Sequence, residues 1–459
     1  MPSRLVIIGL DCATPQLVFE RYRSSLPALS SVMDEGCYGL MRSSTPPITV
    51  PAWTSMTTGW DAGRLGIYGF RNRKSYDYAD LHVSTNLDVK AERIWEALSR
   101  NKLKSIILGV PQTFPPRPLN GWLISSFLAP NIHSEFTFPP SLKNEILRIL
   151  GTYIIDVRDY RTCETSFLIN SIYQMTALRF RLAKYLIKTR PWNFLMLVEM
   201  GIDRLQHRFW RYCDHEHPQY SPGSIYENTI LEYHKFIDNE ISDLLEAVPA
   251  HTPVMVVSDH GAQALHGGVC INKWLVDNGY LRLNTMPMSP LPISMDLIDW
   301  ANTVAWGEGG YYGRIFLNVA GREPRGIVNQ LEYTAIRQEL KQKLELMTLE
   351  DGQPLGNTVL IPEETYNKVN GIPPDLMVYF GNLKWRSIGT IGIESIFTKS
   401  NDTGQDEANH AQHGIFICKN FPGQPTGQIS GVSVEDVAPS VLKYFGVNQH
   451  NCFDGKAIF

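Results

Sequence analysis

Short apolar runs alternate along the chain with longer segments in which apolar side chains recur every three or four positions. The runs have the continuous aliphatic character of strands buried on both faces. They lie at Arg4–Leu10, Lys104–Val110, Trp192–Val198, Pro253–Val257 and Asp375–Phe380. The longer segments predict helices over Asp88–Arg100, Glu164–Thr189, Ile202–Tyr212, Tyr226–Val248 and Gln330–Leu346. This alternation predicts an α/β fold with a mainly parallel sheet.

The 459 residues are enough for one large catalytic domain, residues 1–459, with insertions. Residues 121–190 are partly helical and carry no side chain that we assign to chemistry, so we interpret them as a cap insertion. Residues 272–406 separate two groups of candidate ligands and have strand and helix signals of their own. We interpret them as a second elaboration of the core.

Composition excludes several classes of partner. With a net charge of -4 the chain lacks the excess of basic residues that is typical of proteins that bind a nucleic-acid polymer or an anionic membrane. The apolar runs are too short to span a bilayer, and the first one ends at Asp11, too early for a signal peptide. Seven cysteines without a Cys-x-x-Cys pair indicate reduced thiols. Together these features predict a cytoplasmic protein, whose oligomeric state the sequence does not indicate.

Acidic side chains and histidines follow three of the predicted strands. Asp11 directly follows the first, and Asp259 with His260 follows the fourth. Asp203 and His207, four residues apart after the third strand, share one helix face. Carboxyl ends of parallel strands meet at one sheet edge, where α/β folds bind ligands. Carboxylate and imidazole together suit a transition metal, although Asp11 could equally cap a helix and Asp203 with His207 could form a metal-free surface pair.

Another candidate ligand lies near the C-terminus, where His410 and His413 precede an apolar run. Either histidine could complete a set of metal ligands. The alternative for at least one of them is a solvated loop histidine.

Hydroxyl side chains are concentrated between Pro46 and Gly59, where a proline-containing loop enters a short predicted helix. Thr49 would lie beside the N-terminus of this helix. Free backbone N–H groups and the positive end of the helix dipole favour a phosphoryl group and a developing alkoxide there. The competing hydroxyls are Thr54, Ser55, Thr57 and Thr58.

The order of these motifs resembles the alkaline phosphatase superfamily, in particular its type I phosphodiesterase/nucleotide pyrophosphatase branch. The matching positions are Asp11, Thr49, Asp203, His207, Asp259, His260 and His410, with supporting fragments at Gly66–Phe70 and Asp436–Leu442. The resemblance implies an alkaline phosphatase-like three-layer sandwich with a mostly parallel central sheet and cap insertions. It also implies a hydrolase that cleaves a phosphodiester or pyrophosphate bond in a small phosphorylated substrate.

The resemblance further implies two divalent metal ions, zinc as first choice with manganese or iron as alternatives. The implied ligands are Asp11, Asp259, His260 and the Thr49 oxygen for one ion, and Asp203, His207 and His410 for the other. Thr49 would be the nucleophile and would form a phospho-threonine intermediate. His410 fits the family spacing better than His413, because it precedes Gly414 by four residues.

Three positions depart from the family pattern and concern the substrate. Leu65 stands where relatives often have histidine, and Ala52 stands where many nucleotide-acting members have asparagine. The phosphate-binding asparagine of that branch aligns near Phe70, so Asn72 and, as a phosphate clamp, Arg71 are the candidate substrate-binding residues.

Other functions within the superfamily follow from the same motifs. A phosphomonoesterase or a phosphomutase is the main alternative, although phosphomutases of this superfamily typically use serine. A sulfatase motif of the Cys-x-Pro-x-Arg type is absent around Thr49. A non-enzymatic metal-binding relative is disfavoured, because a full ligand set and a hydroxyl at the nucleophile position are both present.

Overall fold

The computed structural model describes residues 3–157, 159–161, 163–447 and 452–459. The strands are β1 Leu5–Leu10, β2 Cys37–Arg42, β3 Arg71–Arg73, β4 Leu81–Val83, β5 Ser105–Leu108, β6 Gly121–Ile124, β7 Thr137–Phe138, β8 Phe194–Glu199, β9 Val254–Val257, β10 Gly261–Ala264, β11 Gly267–Cys270, β12 Leu291–Pro292, β13 Ala305–Glu308, β14 Gly313–Leu317, β15 Thr358–Leu360, β16 Leu376–Tyr379, β17 Trp385–Ile388, β18 Thr390–Ile391, β19 Phe397–Thr398, β20 Ala408–Ala411, β21 His413–Lys419 and β22 Gly427–Ser433. The helices are α1 Pro27–Glu35, α2 Thr49–Thr58, α3 Ala62–Leu65, α4 Ile94–Arg100, α5 Leu142–Leu150, α6 Thr165–Thr189, α7 Gly201–Cys213, α8 Thr229–Glu246, α9 Ile271–Asp277, α10 Tyr333–Glu345, α11 Pro362–Thr365 and α12 Val437–Tyr444.

In the described part of the chain, the central sheet has nine strands in the order β22-β2-β21-β9-β1-β8-β5-β6-β7. The strands β9, β1, β8, β5 and β6 run parallel to one another. Strands β21 and β7 run antiparallel to their neighbours. All six residues of β1 are buried, as expected for a strand covered on both faces. The predicted α/β fold with a mostly parallel sheet is confirmed.

Helices form two layers, one on each face of the sheet. Helices α1, α6, α7 and α8 pack against one another in one layer, and α2, α4 and α12 pack in the other. Apolar side chains from the sheet and from both layers form one continuous core. This arrangement is the three-layer sandwich that the resemblance implied.

A second sheet lies outside these layers. Strands β13, β14, β16 and β15 form an antiparallel sheet, and its side chains, including Trp306 and Phe316, pack in a separate apolar cluster. The strand predicted at Asp375–Phe380 is present as β16, but its assignment to the mainly parallel sheet was wrong. A short apolar run indicates burial without indicating which sheet the strand joins.

The described part of residues 121–190 belongs mostly to the central layers. It supplies β6 and β7 to the sheet and α6 to a helix layer, and buried side chains such as Leu182 and Leu186 lie in the main core. These elements are therefore not a cap insertion. The two strands are only four and two residues long, too short to give a clear apolar run in the sequence.

Helix α4 begins at Ile94, six residues later than predicted. The Glu96 side chain accepts a hydrogen bond from the backbone N–H of Arg93 at 2.9 Å, which fixes the start of the helix, so the preceding residues remain a loop although Val89 and Ala91 are buried. None of the described helices is long and apolar enough to cross a membrane. All seven cysteines are free thiols, as the sequence predicted.

Candidate active site

The candidate ligands meet at the carboxyl ends of three adjacent strands, β9, β1 and β8. Asp11 follows β1, Asp259 and His260 follow β9 after one residue, and helix α7 begins after β8. These residues are fully buried. The expectation that the motifs share one sheet edge is therefore met.

Helix α7 begins where Glu199, the last residue of β8, accepts hydrogen bonds from the backbone N–H groups of Met200 and Gly201 at 3.1 and 3.0 Å. This carboxylate satisfies free donors of the helix start. Asp203 and His207 then lie on the face of α7 that points to the sheet edge, with 3.2 Å between Asp203 Oδ1 and His207 Nε2. Of the two interpretations of this pair, the exposed surface pair is wrong, because both side chains are buried.

A short antiparallel pair of strands brings the C-terminal histidine to the same place. Strand β10 continues from His260 and pairs with β20, in which His410 lies opposite Ala262. The two imidazoles stack, with 3.7 Å between ring centroids and 18° between planes. His413 instead begins β21 and is exposed, so His410 is the histidine that joins the cluster.

The six side chains bring their metal-binding atoms together in two overlapping groups. His260 Nε2 lies 3.2 Å from Asp259 Oδ2 and 3.9 Å from Asp11 Oδ1. His410 Nε2 lies 3.4 Å from His207 Nε2 and 3.9 Å from Asp203 Oδ1. Ligands of a tetrahedral zinc ion lie about 3.3 Å apart when bonds to the ion are about 2.0 Å. His260 also comes within reach of Asp203 and His410, so it lies between the two groups.

Three buried carboxylate oxygens in this cluster lack a hydrogen-bond partner among the described residues. They are Asp11 Oδ1, Asp203 Oδ1 and Asp259 Oδ2. Burying a carboxylate oxygen without a partner is costly. All three belong to the two donor groups, and a divalent cation is the partner that would satisfy them together. The residues present therefore fit metal ions.

Electrostatics of the cluster also favour cations. Burial raises the pKa of Asp11 and Asp259 well above their usual range, and neighbouring carboxylates raise both further. Burial lowers the pKa of His260 to about 4 and that of His410 well below its usual value. Both imidazoles are thus neutral and offer a lone pair. Burial also opposes the charge on Asp203, but His207 and Arg204 outweigh it and keep the pKa low.

Thr49 is the first residue of α2 and is buried beside the cluster, with 3.3 Å between Thr49 Oγ1 and His260 Nε2. No side chain caps this helix end, and Pro51 has no N–H, so the N–H groups of the first two residues remain available to an anion. Trp53 Nε1 donates to Asp11 Oδ2 at 2.7 Å and so ties α2 to β1. Its ring crosses Gly9, where an added Cβ would clash with the indole.

The competing hydroxyls of α2 serve the helix itself. Thr54 donates to the Val50 carbonyl at 2.7 Å, and Thr57 and Thr58 donate in the same way to carbonyls one turn earlier. The Ser55 hydroxyl is buried and has no hydrogen-bond partner among the described residues. Thr49 is thus the hydroxyl of this helix that lies against the candidate ligands.

The two candidate substrate-binding residues, Arg71 and Asn72, both lie in strand β3, which forms a hairpin with β4. The Asn72 side chain accepts from Tyr68 N at 2.7 Å and donates to Gly69 O and Ser84 Oγ at 3.0 and 2.7 Å, so it holds the loop together. Arg71 is exposed. Neither residue contacts the cluster in the described structure.

Two residues that sequence reasoning missed complete the surroundings of His207. Asp406 Oδ1 lies 2.6 Å from His207 Nδ1, and the same carboxylate is held by Arg161 and Arg386. Tyr311 stacks on His410, with 3.9 Å between ring centroids. Asp406 precedes His410 by four residues, and that proximity to a candidate ligand was the available signal in the sequence.

Comparisons with known proteins agree with this architecture. The human ectonucleotide pyrophosphatase/phosphodiesterase 5 structure superposes with a TM-score of 0.58 at 13% identity, over 98% of this chain and 97% of that chain. Phosphonoacetate hydrolase from Sinorhizobium meliloti 1021, in complex with phosphonoacetate, superposes with a TM-score of 0.63 at 15% identity, over 97% and 96%. An inactive threonine-to-alanine variant of the murine ectonucleotide enzyme, in complex with AMP, gives 0.57 at 12% identity, over 98% and 97%.

At these identities the structural matches show the fold. No curated protein matches the sequence. The sequence profile described as type I phosphodiesterase / nucleotide pyrophosphatase matches residues 5–415, which is most of the chain. The chain therefore belongs to the type I phosphodiesterase/nucleotide pyrophosphatase family, a family of hydrolases that act on phosphoric ester bonds.

Proposed function

We propose that this chain is a metal-dependent phosphodiesterase or pyrophosphatase that uses Thr49 as its nucleophile and two divalent metal ions, with zinc as first choice. The observation that carries the proposal is the convergence of six buried ligand side chains on one sheet edge beside Thr49. Three of their carboxylate oxygens have no hydrogen-bond partner among the described residues. A purely structural cluster would satisfy these oxygens with donors.

The proposed ligands form two sets. Asp11, Asp259 and His260 would hold one ion near Thr49, and Asp203, His207 and His410 would hold the other. Bound divalent ions at such sites lower the pKa of a hydroxyl or water and neutralise charge on phosphoryl oxygens. Mixed carboxylate and imidazole ligands suit zinc, manganese and iron.

In the proposed reaction, the Thr49 oxygen attacks phosphorus and the ester or anhydride oxygen leaves. The resulting phospho-threonine is then hydrolysed by water, which regenerates the hydroxyl. The free N–H groups at the start of α2 would donate to a phosphoryl oxygen, and the helix dipole would favour its negative charge. Burial of the surrounding side chains strengthens both interactions because it excludes bulk water.

The substrate is proposed to be a small phosphorylated molecule. The complexes of related folds with AMP and with phosphonoacetate support this size and charge class. Two elements would select among such substrates. They are the hairpin of β3 and β4 and the surroundings of Tyr311.

The decisive experiment compares bis(4-nitrophenyl) phosphate with 4-nitrophenyl phosphate on metal-loaded protein. We expect faster hydrolysis of the diester, and we expect Thr49→Ala to reduce it by roughly a thousandfold or more without loss of metal. Thr54→Ala is the matched control, because Thr54 donates to its own helix. Unchanged rates in Thr49→Ala would refute the nucleophile assignment. A preference for the monoester would indicate a phosphomonoesterase, and equal trace rates would indicate a non-enzymatic relative.

A further inference from the structure

Tyr311 reaches the candidate active site from the second sheet. It lies in the turn between β13 and β14, and the described structure fixes this turn from two sides. Asn409, the neighbour of His410, donates its side-chain amide to the Tyr311 carbonyl at 3.0 Å. Gly310 and Ser387 exchange two backbone hydrogen bonds of 2.9 and 3.0 Å. These contacts hold the backbone of the turn beside His410.

The Tyr311 hydroxyl points to the edge of one donor group. Its ring stacks on His410 with 22° between planes, and its oxygen lies 3.5 Å from His207 Nε2. That nitrogen faces the other ligand atoms, because His207 Nδ1 is engaged by Asp406 at 2.6 Å. The hydroxyl thus lies beside the space that the second donor group surrounds.

The hydroxyl proton of Tyr311 is available for donation. Arg161 Nη2 donates to the tyrosine oxygen at 2.7 Å, which uses a lone pair of the oxygen and leaves its hydrogen. The adjacent His207 nitrogen would be occupied as a ligand and could not accept that hydrogen. The positive charge of Arg161 also strengthens the hydroxyl as a hydrogen-bond donor.

From this geometry we propose that Tyr311 is a catalytic residue that donates a hydrogen bond to the leaving oxygen of the substrate. The inference rests on the proposed function and assigns one further residue to the same site. Thr49 lies against His260 in one donor group, whereas Tyr311 lies against His207 in the other. Attack and departure at phosphorus occur at opposite ends, so the group next to the second donor set meets the departing oxygen.

This role makes the contribution of Tyr311 depend on the leaving group. A hydrogen bond to a developing negative charge stabilises the transition state more when the departing oxygen holds more charge. A phenolate concentrates charge on its oxygen, whereas a 4-nitrophenolate spreads it into the ring. Loss of the hydroxyl should therefore slow a phenyl ester more than a 4-nitrophenyl ester.

The test measures kcat/KM for methyl phenyl phosphate and methyl 4-nitrophenyl phosphate with metal-loaded wild-type protein and Tyr311→Phe. The variant keeps the ring that stacks on His410, and a thermal melt checks folding. We expect a loss of about a hundredfold or more with the phenyl ester and about tenfold or less with the nitrophenyl ester. Metal content should stay the same. Tyr312→Phe is the matched control, because the Tyr312 hydroxyl donates to the Tyr68 carbonyl at 2.7 Å, and it should leave the leaving-group dependence unchanged.

Other outcomes separate the alternatives. An equal loss with both esters would overturn the inference and indicate a packing role for Tyr311. Loss of metal in Tyr311→Phe would also overturn it, since the tyrosine oxygen would then be a ligand. If the wild-type protein hydrolyses neither ester nor the bis-aryl diester, the proposed function fails and this role fails with it.

Discussion

His410 Nδ1 donates a hydrogen bond to the carbonyl oxygen of Pro47 over 2.8 Å. Pro47 lies two residues before Thr49, so this bond connects the C-terminal histidine to the loop that enters the nucleophile helix. It also fixes the tautomer, because a hydrogen on Nδ1 leaves the lone pair on Nε2. That lone pair faces Asp203 and His260.

From this relationship we expect His410→Ala to lower the metal content of the purified protein from two equivalents toward one. The variant removes the Nε2 ligand and leaves the other five side chains of the cluster in place. Metal analysis of protein dialysed against metal-free buffer measures the change. His413→Ala is the matched control, because His413 is exposed three residues away. A loss of metal in the His413 variant instead would contradict the assignment of His410.

A second prediction concerns Asp406, whose carboxylate lies against His207 Nδ1, the ring nitrogen that faces away from the other ligands. Asp406→Asn keeps the size of the side chain but removes the charge that orients the imidazole, so we expect metal affinity to fall by about tenfold to a hundredfold. Competition with a chelator measures the affinity.

Asp375→Asn provides the control for Asp406, because Asp375 is also buried and paired with an arginine, Arg322, but directly precedes β16 of the second sheet. Its effect should be limited to thermal stability. Equal metal affinities in the two variants would show that Asp406 does not support the metal site.

Much of the architecture could be predicted from the sequence because the central strands are buried on both faces. A strand such as Leu5–Leu10 is a continuous apolar run with no competing interpretation. The second sheet could not be predicted in the same way. Its strands are three to five residues long, and β13 and β14 both contain glycine. These strands are buried by contacts with one another. Such contacts leave no pattern in the sequence of any one strand.

The candidate ligands could be found because each lies at a fixed distance from a strand or from another ligand. Asp203 and His207 share a helix face by spacing alone. Tyr311 has no such local signal, and Asp406 has only its position four residues before His410. Both come to the cluster through long-range contacts, Tyr311 through Asn409 and Asp406 through His207. Residues that act through tertiary contacts of this kind require the structure.

A final prediction concerns stability in acid and involves His234, away from the candidate active site. His234 on α8 is buried, its Nδ1 donates to the Ile230 carbonyl at 2.8 Å, and its Nε2 has no partner among the described residues. Burial lowers its pKa to about 4, whereas a histidine in the unfolded chain has a pKa of about 6.5. The unfolded state therefore binds a proton first as the pH falls. The contribution of His234 to the free energy of unfolding is full above pH about 6.5 and is lost toward pH about 4, on the order of 3 kcal/mol in all.

Urea denaturation between pH 7 and pH 4 tests this loss, with His234→Gln as the variant that cannot titrate. We expect the free energy of unfolding of His234→Gln to be lower at pH 7, because glutamine disturbs the packing, but to fall less steeply with decreasing pH than that of the wild type. His215→Gln removes an exposed histidine and should retain the wild-type slope. The metal ligands titrate equally in all three proteins, so differences between the slopes belong to the substituted histidine. Identical slopes for the wild type and His234→Gln would show that His234 already takes up its proton in the folded state.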